Sequence, residues 1–285
     1  MKRAYVILII VIIVAIIVGC SLIRTIFYPP AVEAGELYDN KGQSLSFSKW
    51  DKDLQEYVKN GSVNYSKWKE NQQNLDDTLA YFKTIRRTQT ARDHLLAAYI
   101  NAYNAFTIKL ILEYFPGIKG IRDIPSAKRW DAVRWEVGEK TVSLNQLEHD
   151  ILRKEFIEPR IHFAIVCASI GCPHLLNRAY EGNILDTQLT EMTQNFFRRK
   201  ENCKIDGNTV YLSSILDWFR GDFVRDELAT KLQWFGEDYK KASQQVRLLM
   251  FVCKFAPKDI REKISKNYKN WSIKYTTYDW NLNGQ

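Results

Sequence analysis

Cysteine, histidine and methionine are scarce in this chain, at 5, 4 and 3 of 285 residues. Five cysteines are too few for a disulfide-built scaffold, so each takes its meaning from its neighbours. Only 7 prolines and 13 glycines are present, beside 46% hydrophobic and 26% charged residues. That mixture excludes collagen-like repeats, long disorder and a polytopic membrane protein. Internal repeats and low-complexity tracts are also missing. Acidic residues fall short of basic ones, 33 against 41, which leaves a formal charge of +8. The excess is scattered: only Arg198-Arg199-Lys200 and Lys240-Lys241 cluster, and neither is interleaved with aromatics. Nucleic acid is therefore not an expected partner.

What is present begins with an export segment. Lys2 and Arg3 precede an apolar run from Tyr5 to Val18, which ends at Gly19-Cys20-Ser21. This order is that of a secretory signal, and Ile17-Val18-Gly19-Cys20 resembles a bacterial lipobox, in which the cysteine is diacylated. Cys20 is then a lipid anchor. The alternative is a retained transmembrane anchor, because Leu22 and Ile23 lengthen the run towards the roughly 20 residues that a bilayer needs. Either way Lys2 and Arg3 stay inside and residues 24–285 lie outside the cytoplasmic membrane. Ser21 after the cysteine favours the outer membrane where the cell has one. The expected organisation is 1–19 signal peptide or anchor, 20–40 tether and 41–285 folded domain.

Within that domain, Trp50, Leu54, Tyr57 and Val58 lie at helical spacing before a stop at Asn60-Gly61, and Leu75, Leu79 and Phe82 mark a second helix. Thr90-x-x-Asp93 is the expected cap of a third, whose apolar positions run from Leu95 to Leu110. Hairpins are predicted around Gly138-Glu139 and Asp206-Gly207, with a short helix capped by Ser143-x-x-Gln146 between them. Ile161 to Val166 is an apolar run of strand length and predicts a buried central strand. Helices are predicted near 174–181, 185–199, 213–219, 238–254 and 257–266, and a terminal strand over 273–280. The expected fold is α+β: a helix-rich single domain around a small, mainly antiparallel sheet.

The chemistry-bearing cluster is His162, Cys167, Cys172 and His174, within thirteen positions. In one interpretation Cys167 is a nucleophile, with His149 or His162 as its base, Glu148 or Asn104 as the group that orients the base, and the amides of the 168–171 turn as oxyanion donors. Opposite strand parity argues against His162 as that base. In a second, Cys167 and Cys172 form a disulfide. A third, a metal site, has a C-x4-C-x-H spacing unlike common zinc patterns, and no metal or cofactor is expected. The last is that these are small buried side chains, the role also expected of Cys203 and Cys253. Asn101 and Asn104 share a face of the third helix. They either tie neighbouring segments to the helix or line a polar cleft with Ser169 and Cys172. Arg160 is a candidate carboxylate ligand or a structural ion pair.

Asn101-Ala102-Tyr103-Asn104-Ala105, Glu148-His149-Asp150-Ile151-Leu152-Arg153, Pro159-Arg160-Ile161-His162-Phe163-Ala164, Cys167-Ala168-Ser169-Ile170-Gly171-Cys172-Pro173, Trp218-Phe219-x-x-Asp222-Phe223 and Tyr278-Asp279-Trp280-Asn281-Leu282-Asn283 together resemble the domain of unknown function 547 family. The resemblance covers about 45–283 and implies an exported protein without an assigned reaction. More distantly, a helix followed by a His-bearing strand is similar to the papain and transglutaminase arrangement, although the helix here carries His94, Asn101 and Asn104 and no cysteine. The resulting expectation is a membrane-tethered thiol-dependent hydrolase or acyltransferase acting on peptide or amide bonds. The alternative is a noncatalytic envelope lipoprotein that binds a peptide or protein partner through a polar cleft.

Overall fold

The computed structural model describes residues 45–285, so the export segment, Cys20 and the tether lie outside the described residues. Helix α1 (Ser48–Tyr57) turns Trp50, Leu54 and Tyr57 inward and gives way to a short hairpin, β1 (Val58–Lys59) and β2 (Ser62–Val63). Asn60 and Gly61 form its turn with φ of 51° and 80°, the left-handed conformation that these residue types tolerate. Helix α2 (Tyr65–Glu70) was not evident from periodicity; Asn64 caps it by accepting from the Lys67 amide at 2.9 Å. Helix α3 (Gln73–Phe82) follows.

Helix α4 (Arg92–Tyr114) is the axis of the fold, and from Leu95 to Ile108 every residue is buried. It is long and apolar enough to cross a membrane, yet 94% of its most apolar window is buried inside the domain, which makes it a core helix. Phe106 stacks on Trp135 at 5.0 Å and meets Phe82 edge-on at 5.7 Å, joining α4 to α3 and to the hairpin β3 (Trp135–Val137) and β4 (Lys140–Val142). Thr90 is not the cap: Ala91 occupies that position, and the Thr90 hydroxyl donates to the Arg86 carbonyl at 2.7 Å.

The expected central strand at 161–166 is absent. Glu158 accepts from the Arg160 amide at 3.1 Å and Pro159 opens a 3₁₀ turn, Pro159–Phe163. Beyond it, Asn104 stands in for a neighbouring strand: its amide donates to the Ala164 carbonyl at 3.0 Å and accepts from the Val166 amide at 2.9 Å. The helix expected at 174–181 is missing for the same reason. Asn101 binds both backbone groups of Tyr180 at 2.8 and 2.9 Å, while Gln188 holds Ala179 and Glu181 at 2.8 Å each, keeping the segment extended. An apolar run reports burial, and side-chain amides here supply the backbone partners that a helix or sheet would have supplied. The helix-plus-strand arrangement behind the papain likeness is therefore not formed by this segment.

Helix α5 (Leu185–Arg198) leads into β5 (Cys203–Asp206) and β6 (Thr209–Ser213), an antiparallel pair closed by Gly207 at φ 52°. Short helices α6 (Ile215–Trp218) and α7 (Arg220–Phe223) precede α8 (Gln244–Phe255) and α9 (Lys258–Lys266). Strand β7 (Ser272–Thr276) then joins β6 in parallel, so this sheet is mixed. Phe163, Phe196, Phe197, Phe223 and Phe251 fill the space between α5, α7 and α8, and Cys203 and Cys253 are buried there as expected. The whole is α+β.

After β7 the chain crosses the 168–171 turn. Ile170 and Gly171 donate to the carbonyls of Asn281 and Asp279 at 2.8 and 2.9 Å, and Asn283 donates back to Ala168 at 3.0 Å. A side chain at Gly171 has no room: a Cβ there would lie 2.8 Å from the Tyr278 ring and 2.9 Å from the Asp279 nitrogen. Gly171→Ala is expected to destabilise the protein by about 1–3 kcal/mol, the usual cost of overpacking, measured as a lowered midpoint in urea unfolding.

Candidate active site

The segments held by α4 and by the C-terminal crossing enclose one cavity of about 150 Å³. It is lined by Cys167, Cys172 and Tyr278, by Tyr103, Glu148, His149 and His162, and by the aromatic rings of Trp130, Trp218, Phe219 and Trp280. These residues come from stretches far apart in the chain, and α4 and the crossing bring them together.

Ala168, at φ 62°, turns the backbone sharply between the two cysteines. The Cys167 amide consequently donates to Cys172 Sγ at 3.0 Å, and the Ser169 amide also donates to that sulfur. Cys167 Sγ lies 2.9 Å from Cys172 Sγ, and the Tyr278 hydroxyl lies 2.9 Å from Cys172 Sγ and 3.3 Å from Cys167 Sγ. Four donors thus converge on one sulfur, as in an anion-binding nest. Burial opposes charge on Cys172, but the Cys167 and Tyr278 donors and the two backbone amides outweigh it and bring its pKa down to about 7. Cys167, donating to that neighbour and buried beside its charge, is held well above the ordinary thiol value. These hydrogen bonds favour the charged form on Cys172 over Cys167, the residue singled out from the sequence. In the 168–171 turn, the expected oxyanion donors Ser169, Ile170 and Gly171 have their amides taken up by Cys172 and the C-terminal crossing. Ser169 is buried, with its hydroxyl 3.6 Å from Cys167 Sγ.

Ser143 and Gln146 form the expected reciprocal cap, at 2.9 and 3.0 Å, but the helix they start is a π-helix, Gln146–Leu152. Its wider turn brings the consecutive residues Glu148 and His149 to one cavity wall. Glu148 is 8% exposed and accepts from the Tyr103 hydroxyl at 3.0 Å. Burial raises its pKa to about 7 against the opposing Tyr103 hydrogen bond. Glu148 does not orient a histidine; its partner is Tyr103.

Neither histidine is paired with a sulfur. Among the described residues, the groups within hydrogen-bond reach of Cys167 Sγ are Cys172, Ser169 and Tyr278. Arg153 donates to His149 Nδ1 at 2.7 Å, which places the proton of the neutral ring on Nε2. Burial, then the Arg153 charge, lowers the His149 pKa. His162 is stacked 4.0 Å from Phe219, and its Nε2–H donates to Asp222 at 2.8 Å. Burial lowers its pKa against the pull of Asp222. Asp222 also accepts from Arg153 at 2.5 Å and from Arg225, and despite its burial these bonds hold it well below the usual carboxylate range. His162 thus keeps an unprotonated Nδ1 in a fixed ring.

The other expected site residues lie elsewhere. Both ends of the Asn101 and Asn104 amides are taken up by backbone, so neither lines the cleft or orients a ring. Arg160 binds Glu158 through two hydrogen bonds, 2.8 and 2.7 Å long, and Asp186 at 2.8 Å, away from the sulfurs, in a structural ion-pair cluster. His174 lines a different cleft with Asn60 and Arg199, and among the described residues no group of three His, Cys, Asp or Glu converges to hold a metal ion. Tyr103, Tyr278, Asp222 and the tryptophans were not assigned roles from sequence; Tyr103, Trp218, Asp222, Tyr278 and Trp280 lie in the quoted motifs, and Trp130 lies in none.

Two outcomes follow from these environments. Iodoacetamide labelling of Cys172, followed by mass spectrometry, is expected to rise with pH through a midpoint near 7; Tyr278→Phe removes a donor to the thiolate and shifts that midpoint upward by about one to two units. Because the folded state holds a proton on Glu148 up to about pH 7 whereas the unfolded chain releases it near 4.5, stability should fall between those values. The loss is about 3 kcal/mol, and Glu148→Gln should abolish it in urea unfolding followed against pH.

Searches of curated proteins and of solved structures gave no match. A family model does match the stretch that carries Tyr103, Glu148, His149, His162 and both cavity cysteines, while Trp218, Asp222, Tyr278 and Trp280 lie beyond it: residues 87–197 are similar to the family described as Protein of unknown function, DUF547.

Proposed function

We propose that this chain is an exported, membrane-tethered thiol-dependent hydrolase or acyltransferase of the cell envelope, acting on small acyl amides. Its nucleophile is Cys172. The observation that carries this reading is the convergence of four donors on the Cys172 sulfur, which stabilises a thiolate near neutral pH inside a cavity. The basic residues before the apolar run and the lipobox-like Ile17-Val18-Gly19-Cys20 support an anchor at the outer face of the membrane.

The steps follow from the residues facing the cavity. The Cys172 thiolate attacks the carbonyl carbon, a C–S bond forms, and the carbonyl electron pair moves to oxygen. As charge leaves the sulfur, the Cys167 thiol and the Tyr278 hydroxyl, no longer needed there, are the nearest donors to the developing oxyanion. Glu148, protonated below about pH 7, gives its proton to the leaving nitrogen as the C–N bond breaks. The resulting carboxylate then takes a proton from water, or from an acceptor nucleophile, which attacks the thioester and releases the acyl group. Cys172 returns as thiolate and Glu148 as acid. His162 and Asp222 fix the polar wall, with Nδ1 of His162 as a second proton acceptor.

Incubation of the full-length protein with p-nitrophenyl acetate should leave an acetyl group on Cys172, seen as a mass increase on the peptide containing it. Cys172→Ser should lose the adduct, and Glu148→Gln should slow turnover of a small amide by about a hundredfold or more. Adduct formation unchanged in Cys172→Ser would exclude Cys172 as the nucleophile, and a cavity without any thiol-dependent turnover would leave a binding role for it.

A further inference from the structure

The cavity mouth carries groups that the acyl-transfer chemistry leaves unused. Trp218 stacks on Trp280 at 5.8 Å, Trp130 meets Trp280 edge-on at 6.0 Å, and Trp218 is half exposed. Two guanidinium groups lie over this wall: Arg122 sits 5.2 Å from the Trp280 ring centre and Arg129 sits 5.0 Å from that of Trp130. Lys119 and Lys128 belong to the same segment, and among the described residues none of the four cations is ion-paired with a carboxylate.

The nearby acids have other partners. Asp123 accepts from the backbone amides of Lys119 and Gly120 at 2.8 and 3.2 Å, and Asp131 accepts from Asn145 at 2.6 Å. Asp279 accepts from Asn281 at 2.9 and 2.8 Å, and Asp217 pairs with Arg220 at 2.7 Å. Since Asp123, Asp131 and Asp279 are held by neutral donors, the four cations exceed these three carboxylates by one, while the interior is aromatic and, below pH 7, uncharged at Glu148. A space of about 150 Å³ holds one ring-sized group.

We infer that the site selects substrates with a ring-sized apolar acyl group, amide-linked to an amine that itself bears a carboxylate, and that Arg122 and Arg129 are the residues that recognise the anion. The inference rests on the thiol-dependent reading for its chemistry, since the bond broken is the amide between those two parts. Recognition itself does not need the reaction. The acyl ring enters between the tryptophans and Tyr103, and the carboxylate stays outside, beside the guanidinium groups that lie over Trp280 and Trp130.

Full-length Cys172→Ser protein in detergent micelles separates the two. Its tryptophan fluorescence is titrated with N-benzoylglycine and with the neutral N-benzoylglycinamide. The acid should bind about fivefold more tightly than the amide at low salt, an advantage that disappears in Cys172→Ser/Arg122→Gln/Arg129→Gln and fades with added sodium chloride. Equal affinities at low salt, an advantage that survives both arginine substitutions and salt, or binding of neither probe would overturn the inference. If the arginine variants fold poorly, the salt series on Cys172→Ser alone decides between these outcomes. Preference for the acid together with no acyl adduct in the unsubstituted protein would leave the anion site standing and reject the catalytic reading instead.

Discussion

Two amide side chains on a buried helix hold this protein's site in place. Helix α4 presents Asn101 and Asn104 on one face, deep in the core, and each uses its carbonyl and its NH₂ on the backbone of an extended segment. Each bond contributes about 1 kcal/mol net, but a buried amide left without partners costs more. The segments on the other side have the same need, because neither lies in a sheet there. The helix and the two segments are therefore mutually required, and the segment held by Asn104 leads straight to Cys167.

The site shows how a scarce residue type acquires character from position. Four cysteines lie among the described residues, each free of a disulfide. Cys203 and Cys253 sit in the aromatic core, where burial pushes both up to about 12 and leaves them inert. Cys172 is as deeply buried, yet it is surrounded by donors, and hydrogen bonding reverses what desolvation alone would do. The left-handed Ala168 is the backbone feature that aims the amides, and the C-terminal crossing fixes both that turn and Tyr278. Glu148 is tuned in the opposite direction by burial without a charged partner. A thiol lowered to about 7 and a carboxylic acid raised to about 7 thus share one cavity, and this pairing is what supports the proposed thiol chemistry.

Much of the local structure was legible because it depends on neighbours in the chain. The caps at Ser143-Gln146 and the turns at Asn60-Gly61, Gly138 and Gly207 are short-range devices, and residues a few positions apart specify them completely. The long helix α4 and the core placement of Cys203 and Cys253 were legible from periodicity and apolar surroundings. The strand at 161–166 was not: six apolar residues look the same whether the partner is a strand or one asparagine on a distant helix. Arg160 carried a signal that could be resolved only by distance, and its neighbours Glu158 and Asp186 make it structural.

By itself, the sequence determined the α+β class, and it drew attention to the stretch from His162 to His174. It also singled out Glu148 and His149, which line the same cavity. Only the tertiary structure decided which sulfur is surrounded by donors, because that depends on residues 167, 169 and 278, which converge only when the chain's end crosses the cysteine turn. It likewise separated His174 from His162 and directed both His149 and His162 towards Arg153 and Asp222 rather than towards sulfur. Proton affinities are set by what lies within a few ångströms, and in this fold those neighbours lie as far as about a hundred residues away in the chain.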